Sequence, residues 1–302
     1  MNPAAEAIAS ALRSSGARRV AFLGLAKNVG KTTALVSVLD ALARAGTPAA
    51  ATSAGRDGEA IDALTGDPKP RFRLAAGQLV ASARSTFASA TFSTRFLAEF
   101  PFRTRFGPIE LRRAEQVGSI EVIGPSTASQ LARVAGAMER AGAEQVLIDG
   151  AFGRRAFASG RVSHGIVLSA GMAAGPSIDA VLASLARAIA LISLPEAADP
   201  ETARVFSGAL TEDALRRIAP EPRSTLVIDD FASVFLSPAT LDRLVADGIR
   251  LSVLRRQPLL GVTANPTAPG RPALEPGSFL EAVRRVVPPT VPVFDVVAGV
   301  VL

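Results

Sequence analysis

The residues best suited to chemistry lie in one stretch, Gly24-Leu25-Ala26-Lys27-Asn28-Val29-Gly30-Lys31-Thr32-Thr33. It follows an apolar run and opens a helical pattern, the setting that a phosphate-binding loop requires. Glycine lets the backbone approach phosphate oxygens, and successive N–H groups point at them. The free N–H groups and dipole of the following helix add positive potential. Lys31 would reach the terminal phosphates, and the Thr32 hydroxyl would help hold Mg²⁺. Gly24, Lys27, Asn28, Val29, Gly30 and Thr33 complete the candidate nucleotide-binding set of the loop. Lys27 and Lys31 are two of only three lysines in the chain, the third being Lys69. Every other basic residue is Arg, so a compact ammonium is kept where a planar guanidinium would fit poorly.

A second element is Val146-Leu147-Ile148-Asp149-Gly150-Ala151-Phe152-Gly153. An apolar strand ending in Asp puts a carboxylate at the carboxyl edge of a sheet, where ligands bind. Asp149 is therefore the leading Mg²⁺ carboxylate, and Lys31 and Asp149 are the candidate catalytic residues. A third element, Ser53-Ala54-Gly55-Arg56-Asp57-Gly58-Glu59, follows the next apolar run. There Asp57 or Glu59 offers a further metal carboxylate or a water-positioning group, and Arg56 a phosphate contact. The plainer readings are a strand-end Asp-Gly turn and a solvated loop.

Composition narrows the chemistry further. The 302 residues carry 33 basic and 27 acidic side chains, for a net charge of +6, with 48% hydrophobic residues. That is a globular composition with enough length for a large core. The absence of Cys, with a single His, excludes disulfides, zinc-thiolate and iron–sulfur sites and a Cys nucleophile. Any metal must use oxygen ligands, which suit Mg²⁺ or Ca²⁺. There is no Trp or Tyr. The positive balance is read as arginine usage rather than as a nucleic-acid or membrane footprint. The N-terminus lacks a compact apolar core of the signal-peptide kind. The apolar stretch 180–194 is broken by Arg187 and is too short to span a bilayer. A soluble cytoplasmic protein is expected.

The surrounding pattern must position these residues. Helices are expected over 4–12 and over 31–45, where Leu35, Val38, Leu39 and Leu42 share one face. Gly46 and Pro48 stop the second helix. Strands are expected over 19–25, 49–53, 145–148 and 165–169, with a polar loop over 55–70. Phe92, Phe96 and Phe100 recur every four residues, which predicts a helix over 82–100 ended by Pro101. Residues 106–114 and 119–123 are expected to pair as strands, and Ser126 to cap a helix running to 141. Further helices are expected over 176–192, 211–218 and 239–246. Further strands are expected over 204–207, 226–228, 251–254, 261–264 and 291–297, with a Pro-rich loop over 265–277. Strands alternating with helices imply a mostly parallel sheet covered on both faces. One α/β domain, 1–302, with a Phe-rich insertion at 82–124, is the organisation expected.

Weaker signals admit two readings each. Residues 84–113 interleave Phe with Arg, which suits core packing first, then a partner surface, then single-stranded nucleic acid. His164 stands alone and is read as structural. Arg154 and Arg155 follow Asp149 closely, and one of them could meet a terminal phosphate, although exposed Arg is the default. Asn265 either reads a nucleobase or starts a turn before Pro266.

Gly24-x5-Gly30-Lys31-Thr32, with Val29 before the glycine, resembles the phosphate loop of the dethiobiotin synthetases. Residues 148–153, Ile-Asp-Gly-Ala-Phe-Gly, resemble that family's strand-end acidic-Gly-Ala-Gly-Gly motif, with Phe152 in place of a glycine. No lysine stands after the second strand where carboxylation of a diamine would need it. A likeness over more of the chain rests on GLAKNVGKTT, TSAGRDGEAIDALTGDPKPR, VIGPS, LIDGAFGRRAFAS, GIVLSAG and GVTANP. Together these resemble the P-loop subunit of lysine 5,6-aminomutase (or ornithine aminomutase) reactivase, although Ser169-Ala170-Gly171-Met172 departs from that family's run.

The resemblance implies a three-layer P-loop NTPase-like fold that binds Mg²⁺ and ATP, with GTP an open alternative. It implies an accessory or reactivating subunit for a cobalamin-dependent aminomutase, working beside a MutS-related ATPase. In the synthetase relatives a late strand-end Asn such as Asn265 reads the base. The ligand set expected is Thr32, Asp149 and Asp57 for the metal. Hydrolysis, if it occurs, would be phosphoryl transfer to water. Two alternatives stand beside this reading: an ATP-dependent ligase or kinase of a small molecule, and a non-catalytic, nucleotide-gated interaction subunit. A homodimer is left open; nucleic acid and membrane are not expected as partners.

Overall fold

A computed structural model describes residues 2–54, 71–198 and 205–302. Its α-helices are α1 (Pro3–Ser14), α2 (Lys31–Arg44), α3 (Arg84–Ala88), α4 (Ala128–Arg140), α5 (Ile178–Ile192), α6 (Glu212–Ile218), α7 (Pro238–Ala246) and α8 (Pro276–Val286). The first strands are β1 (Arg19–Gly24), β2 (Ala49–Ser53), β3 (Phe72–Leu74), β4 (Leu79–Ala83), β5 (Thr94–Thr104), β6 (Gly107–Ala114), β7 (Gly118–Ile120), β8 (Gln145–Ala151) and β9 (Gly165–Gly171). The later strands are β10 (Val205–Phe206), β11 (Leu210–Thr211), β12 (Thr225–Ile228), β13 (Val234–Phe235), β14 (Arg250–Val253), β15 (Leu259–Asn265), β16 (Val293–Asp295) and β17 (Val300–Val301).

The architecture is α/β around a ten-stranded sheet of order β17-β16-β15-β9-β1-β8-β2-β4-β6-β5. The strands from β16 to β4 in that order run parallel to one another. Antiparallel strands complete both edges. Side chains of β1 alternate between two cores, as the pleat requires. Val20 and Phe22 pack with α1 and α2 on one face. Ala21 and Leu23 pack with α5 and α8 on the other, where α4 also lies against β8 and β4. Both faces are thus covered, and the strands read as continuous apolar runs for that reason. Among the described residues no helix is long and apolar enough to cross a membrane.

Helix starts follow local chemistry. Asn2 accepts a hydrogen bond from the Ala5 amide to cap α1, and Pro3 occupies its first turn. The cap of α4 is Thr127, which accepts from the Gln130 amide, rather than Ser126 one residue earlier.

The segment 82–100 is not a helix. Only α3 is helical there, and β4 and β5 flank it. A four-residue repeat fits a strand as well as a helix, because residues i and i+4 share a face in both. Register shifts in the β5–β6 pairing, between Phe96 and Ala98 and between Glu99 and Arg103, then break the common face. Phe100 is buried while Phe96 is half exposed, at 51%. The strand 107–114 does not pair with 118–120: β6 lies between β4 and β5, and β7 pairs with β3.

The strands β10, β12 and β14 do not extend the main sheet. They form a separate parallel sheet with its own core of Leu226, Ile228, Val234, Leu244, Ile249 and Val253. The loop after Asn265 ends where Glu275 accepts from the amides of Gly277 and Ser278 and starts α8.

Candidate functional site

The central strand β1 lies between β8 and β9, so whatever follows Gly24 emerges at the carboxyl edge between two neighbours. The chain folds back tightly there. A Cβ on Gly24 would come within 2.9 Å of Val29 Cγ2 and 3.0 Å of both the Ala26 carbonyl and Lys31 Cδ, so only glycine fits without rearrangement. Gly30 takes a left-handed φ of 86° and caps α2 without offering any side-chain acceptor. The first-turn amides of α2 are consequently left without a capping partner from that residue. Val29 is buried and pins the loop from within, while Lys27, Asn28 and Thr33 are exposed.

Two contacts brace the loop from the side. The Leu25 amide donates to the Ser169 carbonyl of β9 at 3.1 Å. Asn265, at the end of β15, donates from Nδ2 to the Asn28 carbonyl at 3.2 Å. Its Oδ1 accepts from the Thr267 amide at 3.1 Å and the Thr267 hydroxyl at 2.8 Å. Asn265 therefore supports the loop and starts the turn. Next to it the Thr263 hydroxyl donates to the Ser169 hydroxyl at 2.7 Å, a buried pair that joins β15 to β9. No spacing in the sequence links those two hydroxyls; only the strand register brings them together.

The chemistry meets at three side chains. Lys31 Nζ donates to Asp149 Oδ1 at 2.7 Å and lies 3.2 Å from Thr32 Oγ1. The Thr32 hydroxyl donates to Asp149 Oδ2 at 3.2 Å. Asp149 stands in register with Phe22 of β1 and Ser53 of β2, and its carbonyl accepts from the Ala54 amide at 2.7 Å. Thr32 and Asp149 are buried. A buried carboxylate is costly unless it is paired, and Lys31 supplies that charge here. Both oxygens of Asp149 are thus aimed at the mouth of the loop.

Other expected residues fall elsewhere. Asp57, Arg56, Glu59 and Lys69 lie outside the described residues. Arg155 is not a solvated residue. Its guanidinium donates to the Val234 carbonyl and lies over the rings of Phe235, at 4.6 Å, and Phe152, at 5.4 Å. Burial pushes its pKa below the ordinary Arg range. His164 precedes β9, where its amide donates to the Arg19 carbonyl at 2.7 Å, away from the loop. Among the described residues no three His, Asp or Glu side chains cluster as a metal site. Among the described residues, Asp149 and Thr32 bring side-chain oxygens together at this edge.

Comparisons with protein-family models, with curated proteins and with solved structures found no match.

Proposed function

We propose that this chain is a P-loop protein of the three-layer NTPase type that binds a Mg-nucleotide, ATP before GTP, at the Gly24–Thr33 loop. One observation carries the reading. Asp149, more than a hundred residues along the chain, meets the adjacent Lys31 and Thr32 within 2.7–3.2 Å beside a helix start that has no side-chain cap. The residues fit such a group. Glycine at position 24 permits the tight fold-back. The left-handed Gly30 leaves the first-turn amides of α2 without an acceptor from the cap, and an anion suits that place. The loop amides and Lys31 would hold the phosphates, and Thr32 and Asp149 the metal.

A bound Mg-nucleotide would supply the phosphoanhydride that hydrolysis splits. The chain's own residues do the positioning. Lys31 neutralises negative charge, now the carboxylate of Asp149 and then that of the phosphates. Asn265 and Ser169 hold the loop in shape from β15 and β9.

The biological role rests on the motif likeness. It supports an accessory subunit serving a cobalamin-dependent lysine or ornithine aminomutase, beside a MutS-related ATPase. The deciding experiment is calorimetric titration of Mg-ATP into the purified protein and into Lys31→Ala. Protein concentration should come from amino-acid analysis, since the chain has no Trp or Tyr. Saturable binding by the wild type that Lys31→Ala loses supports the reading, and no binding at millimolar nucleotide refutes it.

A further inference from the structure

The strand-end pattern of Asp149 occurs twice. Residues 146–150 read Val-Leu-Ile-Asp-Gly, and residues 226–230 read Leu-Val-Ile-Asp-Asp. The second run is β12 with the two residues after it, in the middle of the small parallel sheet β10-β12-β14. Asp229 and Asp230 therefore stand at the carboxyl edge of parallel strands, where open α/β sheets bind ligands.

A cavity of about 230 Å³ opens at that edge. One wall is the chain that leaves Asp149, with Ser159 and Arg161; the other carries Asp229, Asp230, Ser233 and Phe235. Asp230 is buried, and backbone amides hold its carboxylate. Oδ2 accepts from Gly160 at 2.8 Å and Oδ1 from Ala232 at 2.9 Å. Asp229 Oδ2 accepts, among the described residues, only a long bond, 3.4 Å, from the Gly208 amide. Among the described residues no salt bridge within 4.0 Å joins Arg161, Asp229 or Asp230 to any partner. The charge of Arg255 acts on Asp230 through space. Residues of both charge signs thus line one cavity, with no ion pair between them among the described residues.

We infer that this cavity is a second binding site, for a small zwitterionic amine whose ammonium meets Asp229 and Asp230 and whose carboxylate meets Arg161. Two carboxylates and one guanidinium on the lining leave an excess of negative charge, which selects the ammonium end. The space is smaller than the roughly 300–1,000 Å³ of sites for drug-sized ligands, which restricts the ligand to a few heavy atoms. The seryl hydroxyls of Ser159 and Ser233 add neutral hydrogen-bonding groups. Each charged contact is of the charge-assisted kind, about twice as strong as a neutral one. The inference does not depend on nucleotide binding at the Lys31 loop.

The test titrates glycine, β-alanine and 4-aminobutanoate into the full chain, with ethylamine and acetate as single-charge controls, by ligand-observed NMR and calorimetry. Wild type, Asp229→Asn, Arg161→Gln and Lys31→Ala are compared. Asp229 and Arg161 are chosen because neither caps a helix nor fills a core, so both variants should melt with the wild type. At least one zwitterion should saturate the wild type, with both controls about tenfold or more weaker. Asp229→Asn and Arg161→Gln should each lose about tenfold, and Lys31→Ala should bind as the wild type does. The inference is overturned if no zwitterion saturates, if ethylamine binds equally well, or if Asp229→Asn and Arg161→Gln bind unchanged.

Discussion

Two sheet edges of this molecule end an apolar strand in aspartate and then diverge. At the first, Asp149 is met by Lys31 and Thr32 from a loop one strand away, and its charge is matched on the spot. At the second, Asp229 accepts a long bond from the Gly208 amide and the adjacent Asp230 is held by the amides of Gly160 and Ala232, with no salt bridge to either among the described residues. Strand-end carboxylates thus stand in opposite surroundings at the two edges. With a lysine and an uncapped helix start, the surroundings favour an anion. With a second carboxylate and a distant guanidinium, they favour a cation. Strand topology places the charge; the neighbouring loop decides its use.

Breaking the pair at the first edge should have the largest effect. Lys31→Ala leaves a mostly buried Asp149 carboxylate without its cation. Loss of one partner from a buried pair costs about 3–5 kcal/mol, so a cost of about 2–3 kcal/mol is expected where Lys31 keeps some solvent contact. The double variant Lys31→Met/Asp149→Asn should recover much of that loss, as urea unfolding would show. Equal destabilisation of the single and double variants would mean that the pair adds nothing. The next effect belongs to Gly24→Ala. Its methyl group would press on Val29, the Ala26 carbonyl and Lys31 at 2.9–3.0 Å. Overpacking of this kind costs about 1–3 kcal/mol. Mg-ATP affinity should fall with it, whereas amine binding at the second edge should not change.

The first edge was legible in the sequence because its parts are local or repeat a known physical pattern. Gly30-Lys31-Thr32 is contiguous, and Asp149 ends a plain apolar strand. The second edge was not, although 226–230 echo 146–150. No Gly-Lys run accompanies it, and its far wall comes from residues 159–161, which only the fold brings near. The parallel core strands and most helices follow directly from hydrophobic periodicity. The Phe-rich segment misleads because its repeat of four satisfies two geometries, and the register shifts that decide between them depend on the partner strand. The role of Asn265 was half legible: Asn-Pro marks a turn, but its bond to the Asn28 carbonyl needs β15 to lie beside β9.

A third carboxylate sharpens the contrast. Glu110 of β6 is fully buried, and it accepts from Arg84 and from Arg112, the latter at 2.8 Å. Burial pushes its carboxyl up, but the hydrogen bonds and charges of the two arginines outweigh that and hold it below the usual range. For Asp230 burial also pushes up, aided by Asp229, and the amides of Gly160 and Ala232 with the charge of Arg255 do not offset it. A carboxyl-carbon NMR titration should find Glu110 below and Asp230 above their ordinary values. The linkage follows with opposite signs. Glu110 contributes stability above its unfolded pKa, lost as pH falls through the lower folded value. Asp230 contributes only in acid, and that contribution is lost as pH rises through its raised folded value. Glu110→Gln should therefore cost about 1–2 kcal/mol at neutral pH and little in acid. A cost independent of pH would show that the arginines pack rather than pair.

The smallest effect is expected at the brace. Asn265→Ala removes the 3.2 Å bond to the Asn28 carbonyl, together with the turn contacts to Thr267. These groups are exposed, so water replaces much of what is lost, and the cost to stability should be about 0.5–1 kcal/mol. That bond nevertheless helps to hold Asn28 at its positive φ of 60°, a region that Asn enters more readily than other residues apart from glycine. Mg-ATP affinity should accordingly fall a few-fold, through loss of a preformed loop rather than of a contact. A nucleobase contact would behave differently. It would discriminate ATP from GTP, and the variant would erase that preference. Titrating both nucleotides into wild type and Asn265→Ala separates the two: an equal loss for both marks a brace, and an unequal loss marks a base reader.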